Sequence, residues 1–573
     1  LLRVFALQET SSAALDSLAI ALAHPLLSSH RKVLCAAAQV CRAWRDAVQQ
    51  CEACNLIVEL GPSTPVLKLC SFAAWLPRHA ALVKSITAKV GNTLWSSRVD
   101  GLAQEPYNAV VAQLLQPALQ LARLLPPDSA AAAAAEGPAS CARTSNSYAQ
   151  QPGLRLQRFS SNLPGSAGVL ADLPAHSLTA LNLSFQGSIG TDESNLSAQL
   201  ARLSSLQQLR LSSVSFRAGV PGSCLSELAS LGQLTQLTLA GFWRQVGDPL
   251  KQLLEQRLPL RRLVLHIAQW HQLQAMNMAL LTSLEELETE YELPRASVLP
   301  AQLQRLQVGV CTRTEYVTAL QRLQQLGLGV HFDDCAQLLG LAQLASLRHV
   351  ELRYTSAALA AATAAAWQHL PQLQELSVDY DEGYPDSQQM ADILVGIAAC
   401  TQLTKLELMV GIANEEQDDG DDFDVEELPV AVCARLAGLT HLQHLAVPPR
   451  SYLAPGDVLA LTALTALTHL DLRGASGGLD DVVANALACS LKQLRHLDLS
   501  YSKLGSLACL AAIGHLSSLT ALKLDAVDGV TERGLMLLTR LSSLQSLSVV
   551  RNGEITDEVM CRFWAASRQQ LYL

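Results

Sequence analysis

Leu494–Leu524 reads LRHLDLSYSKLGSLACLAAIGHLSSLTALKL and begins and ends on the same phrase, L-x-x-L-x-L. In an extended chain successive side chains point to opposite faces, so the last two leucines of the phrase share one face and the residues around them take the other. That alternation predicts a strand. The downstream half of a period, as in GLMLLTRLSS (Gly534–Ser543), carries apolar residues at helical spacing. One period is therefore expected to be strand, turn and helix.

The phrase recurs. Clear copies begin at Leu178 (LTALNL), Leu206 (LQQLRL), Leu234 (LTQLTL), Leu260 (LRRLVL), Leu403 (LTKLEL), Leu467 (LTHLDL), Leu494 and Leu519. Looser copies begin at Leu284, Leu303, Leu323, Leu347, Leu373, Leu442 and Leu544, which makes fifteen. The first and last starts lie 366 residues apart. The mean period is thus about 26 residues, inside the window of roughly 20 to 29 in which strand-bearing repeats stack into solenoids. Val83-Lys84-Ser85-Ile86 and Leu156-Gln157-Arg158-Phe159 read as degenerate copies. Burying the few leucines of one period falls well short of the entropy lost in ordering it, so the units must stack and draw stability from their neighbours.

Composition agrees. A chain of 573 residues is too long for one ordinary core, and its 49% hydrophobic but only 5% aromatic residues suit stacked aliphatic layers better than an irregular enzyme pocket. The mean hydropathy of +0.20 raises the membrane question, yet no run of about 18 to 20 strongly apolar residues exists. Ala357–Trp367 and Ala130–Ala135 are alanine tracts that read as soluble helix or low-complexity loop, so membrane insertion is not expected. Leu18–Leu27 (LAIALAHPLL) follows Asp16, contains His24 and Pro25 and lacks an adjoining basic segment, which argues against a secretory signal. Fourteen scattered cysteines without paired clusters point to a reducing cytoplasmic setting, with the nucleus or the cytoskeleton and axoneme as other settings. A net charge of −10 argues against nucleic acid as the main ligand.

These residues resemble leucine-rich-repeat proteins over about residues 154–573. The resemblance implies an α/β solenoid with a curved parallel β-sheet on its concave side, helices on its convex side and an N-terminal helical cap. The C-terminal repeats resemble the cysteine-containing subtype of F-box proteins: Val530-Thr531-Glu532-Arg533-Gly534-Leu535 and Ile555-Thr556-Asp557-Glu558-Val559 echo its I-T-D-x-G-L signature. The Asn or Cys of that family, eight residues after the first leucine, is found only at Asn552, with Ser502, Val527, Phe242 and Asp381 in corresponding places, which predicts a less regular array.

Residues 1–60 read as a separate helical module. Ala38-Gln39-Val40-Cys41-Arg42-Ala43-Trp44-Arg45 resembles the V-C-[RK]-x-W helix of F-box domains, and the strand NLIVEL (Asn55–Leu60) follows it, although the family's opening Leu-Pro pair is absent. The resemblance implies docking on a Skp1-type adaptor of an SCF ubiquitin ligase, with Leu22, Leu26, Val40, Cys41 and Trp44 on or beneath the adaptor-facing surface. The alternative is a plain cap over the first repeat's open edge. Residues 61–153 are expected to hold the rest of the cap and a degenerate repeat, ending in a low-complexity insertion at 126–153. A second insertion, 414–427 (NEEQDDGDDFDVEE), carries nine acids and no base; its order of Asp and Gly does not match an EF-hand, and it reads as a solvated acidic loop.

Alternation supplies the functional map: the third, fifth and usually seventh positions of each phrase should line the concave sheet and hold a protein target. In the early and central repeats these are Arg210, Arg262, Glu286, Glu288, Glu290, His349, Glu351, Arg353, Glu375, Asp379, Lys405 and Glu407. Later repeats give His444, His469, Asp471, Arg473, His496, Asp498, Lys523 and Asp525. His444, His469 and His496 are consecutive third positions and should form a column, with Asp471 and Asp498 beside it, since neighbouring strands lie about 4.8 Å apart. A zinc or acid–base site can be imagined there, but no nucleophile with an orienting partner accompanies it, and solvated or partner-contacting residues are the expected reading. Cys51 and Cys54 have zinc-like spacing without a second pair. No P-loop, Rossmann fingerprint, G-x-S-x-G or H-E-x-x-H occurs. The expectation is a non-catalytic, cofactor-free binding protein: an F-box-like substrate receptor, or a scaffold whose N-terminal helices only cap the solenoid. A small-GTPase regulator is a third class, but no distinctive arginine presentation supports it.

Overall fold

The computed structural model of the chain describes residues 56–60, 66–80, 83–88, 113–122 and, with short interruptions, 154–410 and 431–569. The adaptor-facing residues Leu22, Leu26, Val40, Cys41 and Trp44, the Cys51/Cys54 pair, both insertions and Asn552 lie outside the described residues. The chain divides into two compact units, Leu1–Leu284 with Pro294–Val298, and Glu285–Leu293 with Leu299–Leu573.

In the first unit, seven strands form one parallel sheet: β1 (Leu56–Leu60), β2 (Val83–Ala88), β3 (Arg158–Ser161), β4 (Ala180–Phe185), β5 (Gln208–Ser213), β7 (Gln236–Gly241) and β9 (Arg262–Ile267). Two short strands, β6 (Val220–Pro221) and β8 (Trp243–Arg244), pair separately. In the second unit, eleven parallel strands follow in sequence order: β10 (Glu286–Thr289), β11 (Arg305–Cys311), β12 (Gln325–Val330), β13 (His349–Tyr354), β14 (Glu375–Tyr380), β15 (Lys405–Val410), β16 (His444–Ala446), β17 (His469–Asp471), β18 (His496–Asp498), β19 (Ala521–Lys523) and β20 (Ser546–Ser548).

Register is kept by the leucines and by a repeated backbone device. Leu376 pairs with Leu406, Leu406 with Leu445, Leu445 with Leu470 and Leu470 with Leu497, all of them buried. Ahead of most strands of the two sheets, from β4 on and with β10 excepted, two consecutive amides donate to one carbonyl of the preceding repeat, as Arg495 and His496 do to Thr468 O at 2.8 and 3.0 Å. Where the second position is threonine, its hydroxyl donates to the preceding carbonyl as well, at 3.0 Å from Thr468 to Gln443 O and from Thr520 to Arg495 O. A parallel pairing with neighbours about 26 residues away in sequence is thus pinned at its entrance as well as along the ladder.

Helices close many of the repeats behind the strands, but from β9 to β12 the described connections are turns without a helix, a departure from the expected strand, turn and helix. Thr531 caps Glu532–Leu537 by accepting the Gly534 amide at 3.2 Å, and Leu535 is fully buried. A Cβ on Gly534 would lie 2.6 Å from Leu510 Cδ1. The I-T-D-x-G-L-like phrase is therefore a cap, a close approach and a core anchor in succession. The alanine tract forms the helix Ala357–Ala364, which packs against Ser387–Ala398 so closely that a Cβ on Gly396 would meet the Ala364 carbonyl oxygen at 2.4 Å.

Departures from regularity have local causes. Strands β16 to β20 contain three residues each, against six in β12 to β15. In β17 and β18 the Asp at the fifth position folds back: Asp471 accepts from the Arg473 amide and Asp498 from the Ser500 amide, both at 3.0 Å, while backbone bonds such as Leu472 N to Asp498 O and Leu499 N to Lys523 O still tie the turn to the next repeat. The ladder position eight residues after the first leucine is not confined to Asn552, because Cys311 stands eight residues after Leu303. It is buried, and its thiol donates to Arg313 O at 3.0 Å. Ser502 serves the same end, its buried hydroxyl donating to Leu472 O of the preceding repeat at 2.8 Å. The rungs are made by different donors in different repeats.

Candidate functional site

The alternation that buries the leucines leaves the third and fifth positions on the solvent side of each sheet. In the first unit Arg210 and Arg262 are exposed there; in the second, Glu286 and Glu288 are half-buried and Glu290 is exposed. The structure brings the remaining candidates together in two clusters on the second unit.

The first cluster spans β13 and β14. His349 Nδ1 lies 2.8 Å from Glu375 Oε2, and Arg353 bridges Glu351 at 3.5 Å and Asp379 at 3.4 Å. The second runs from β15 to β19. Lys405 Nζ and His444 Nε2 flank Glu407 Oε1 at 3.1 and 3.2 Å. His444, His469 and His496 are register partners, and their rings stack with centroids 5.2 and then 4.1 Å apart at interplanar angles of 27° and 11°. Beside them Arg473 Nε lies 2.9 Å from Asp471 and 3.8 Å from Asp498, whose other neighbour is Lys523 Nζ at 3.2 Å. Asp525 accepts from the Ser548 hydroxyl at 2.6 Å. Asp498 is the one member of the second cluster that is buried, covered on the solvent side by these partners.

Electrostatics follow from the geometry. The hydrogen bond from His444, with Lys405 adding to it against the cost of burial, holds Glu407 down at about 2. Burial lowers the pKa of His469 and His496, and the charges of the neighbouring column members and Arg495 lower it further. Burial raises Asp471 in spite of Arg473. Burial and neighbouring charge thus favour the neutral form of His469 and His496.

Stacked rings do not aim their nitrogens at a common point, and among the described residues no three His, Cys, Asp or Glu side chains gather as a metal would need. The carboxylates nearest the column are engaged in turns and ion pairs, and the hydroxyl beside the column, Thr468 Oγ1 at 2.8 Å from His469 Nδ1, is tied into the backbone through Gln443 O at 3.0 Å. The arrangement can present charge and flat ring surface to a partner. Among the described third, fifth and seventh positions from β13 to β19, seven carboxylates (Glu351, Glu375, Asp379, Glu407, Asp471, Asp498 and Asp525) stand against four fixed cations (Arg353, Lys405, Arg473 and Lys523).

An open depression follows the column and takes in Met409, Ala446 and Ala521 as well. Attention to charged residue types passes over these three, although the same third, fifth and seventh positions name them. Among the described residues no helix is long and apolar enough to cross a membrane.

No family model matches the chain, and no curated protein matches it. Solved structures that match include two proteins of Listeria monocytogenes str. 4b F2365. One is an internalin (inlF), 18% identical, covering 68% of this chain and 94% of its own at a TM-score of 0.31. The other is an internalin C2 (inlC2), 16% identical, covering 42% and 77% at a TM-score of 0.22. On its own repeating geometry of parallel strand, turn and helix, with leucines in register from one repeat to the next, this chain is a leucine-rich-repeat protein.

Proposed function

We propose that the chain is a protein-binding receptor without catalytic chemistry of its own: the solvent face of the strands holds a protein target, and the N-terminal helices recruit an SCF-type ubiquitin ligase through a Skp1-type adaptor. The observation that carries the first half is the face from β13 to β19, where ion pairs and ring stacks set charged groups at fixed spacing while the strand leucines are buried. Ordered charges of mixed sign select a partner by complementarity more than they add raw affinity. The second half rests on the sequence Val40-Cys41-Arg42-Ala43-Trp44 and on the C-terminal repeat signature. In this reading the contribution to ubiquitin transfer is positional, raising the local concentration of a target lysine near an enzyme bound elsewhere.

Two sets of variants test the two halves. Purified adaptor should bind the intact chain and lose it when residues 1–60 are removed or when Val40→Asp is combined with Trp44→Ala. Target capture should fall tenfold or more in Glu375→Lys/Lys523→Glu, and stay unchanged in Val395→Lys/Val482→Lys, which alters exposed positions on the helices. If the intact chain fails to bind adaptor while the first target result holds, a scaffold replaces the ligase receptor. If the sheet-face variant captures target normally, the binding surface itself is wrong.

A further inference from the structure

The histidine column has two unlike ends. At one end His444 is engaged by Glu407, which Lys405 also holds. At the other, the register partner of His496 is Ala521, and the next is Ser546. Because the rings stack along the strand-to-strand direction, one face of His496 is covered by His469 while the other looks over a position whose side chain stops at Cβ. His496 is exposed, and the depression along the column continues over Ala521. One strand spacing, about 4.8 Å, is close to the separation of the stacked rings themselves, so the place over Ala521 has the dimensions of one further planar group.

Charge narrows what that group is. Glu407, Asp471 and Asp498 line the depression against Arg473 and Lys523, and even with Arg348 and Arg495 at the rim the face from β13 to β19 keeps seven carboxylates to six fixed cations among the described residues. A neutral imidazole face next to surplus negative charge suits a planar, weakly hydrated cation. Guanidinium meets that description and ammonium does not, being compact and strongly hydrated. We propose that the open end of the column receives the guanidinium of an arginine carried by the protein partner, stacked on His496 above Ala521. This rests on the reading of the sheet face as a protein-binding surface and names the partner's chemistry there: a basic segment with an arginine at its point of contact.

The test uses the full chain with histidines labelled at Cε1, and the peptide amide Gly-Gly-Arg-Gly-Gly with its lysine and phenylalanine twins as probes. The arginine peptide should shift the His496 resonance saturably and more than that of His444. It should bind about two- to fivefold more tightly than the lysine twin, the factor an exposed cation–π contact supplies. Ala521→His should abolish the response by filling the place, and Ala521→Ser, which leaves it open, should preserve it, with thermal melts confirming that both are folded. An unmoved His496, equal affinity for lysine, preference for phenylalanine or an undiminished response in folded Ala521→His each overturns the proposal. If any of these occurs while Glu375→Lys/Lys523→Glu still loses the protein target, the arginine site falls and the binding face stands; if that variant also keeps its target, both fall.

Discussion

At the residue scale, side chains that look interchangeable in a repeat do unlike work. Ser502 supplies a rung to the Leu472 carbonyl from a fully packed position. Ser502→Ala should cost about 1–3 kcal/mol, the penalty for leaving a buried acceptor unmade, measured by urea unfolding. His469 and His496 titrate below their ordinary value in the fold, chiefly because their surroundings in the column take water from the rings. The unfolded chain therefore takes up protons first. Stability from this source is full above about 6.5, the unfolded value, and is lost as pH falls through the lower folded values. Glu407, held down from 4.5 to about 2, adds a second loss across that more acidic window. The unfolding midpoint should drop between pH 8 and pH 5, and His469→Asn/His496→Asn should flatten that drop; an unchanged slope in the double variant would count against it. The candidates His444, His469 and His496 were legible as a column from their equal positions in three repeats. Their stacking angles were not, because ring orientation depends on what flanks the ends, here Glu407 and Ala521.

At the element scale, the turn after a strand and the approach of two helices are set by single residues. Asp at the fifth position of β17 and β18 captures an amide two residues on and fixes the turn that follows. The phrase LTHLDL announces a strand, but not where the strand stops. Gly396 and the alanine tract allow two helices to touch along their backbones. Gly396→Ala would place a methyl against the Ala364 carbonyl and should destabilise the protein by about 1–3 kcal/mol, the usual cost of overpacking. A thermal melt or denaturant series measures it, and a change within error would show that the helices part at no cost. The tract itself was readable as soluble helix from its composition; its partner was not, since nothing in Ala357–Trp367 refers to Gly396, which belongs to the next repeat.

At the scale of the molecule, each repeat in the second unit leans on the repeats before and after it, and stability should behave as a sum of local terms. Leu445 is fully buried on β16. Leu445→Ala should cost about 2–5 kcal/mol locally. By amide exchange it should accelerate β15, β16 and β17 while leaving β10 to β12 at their original rates; uniform acceleration would mean one cooperative block instead. The sequence by itself determined the strand–turn–helix repeat, the inward leucines and the positions that face solvent, because a period of two within the strand and about 26 between strands is written in one residue type. Only the tertiary structure decided which neighbours complete each rung, where strands end, and that three histidines close into a stack with one open end. Those outcomes depend on atoms brought together from repeats far apart in the chain, and the contacts between them arise from register and from the size of the flanking side chains, which no single repeat contains.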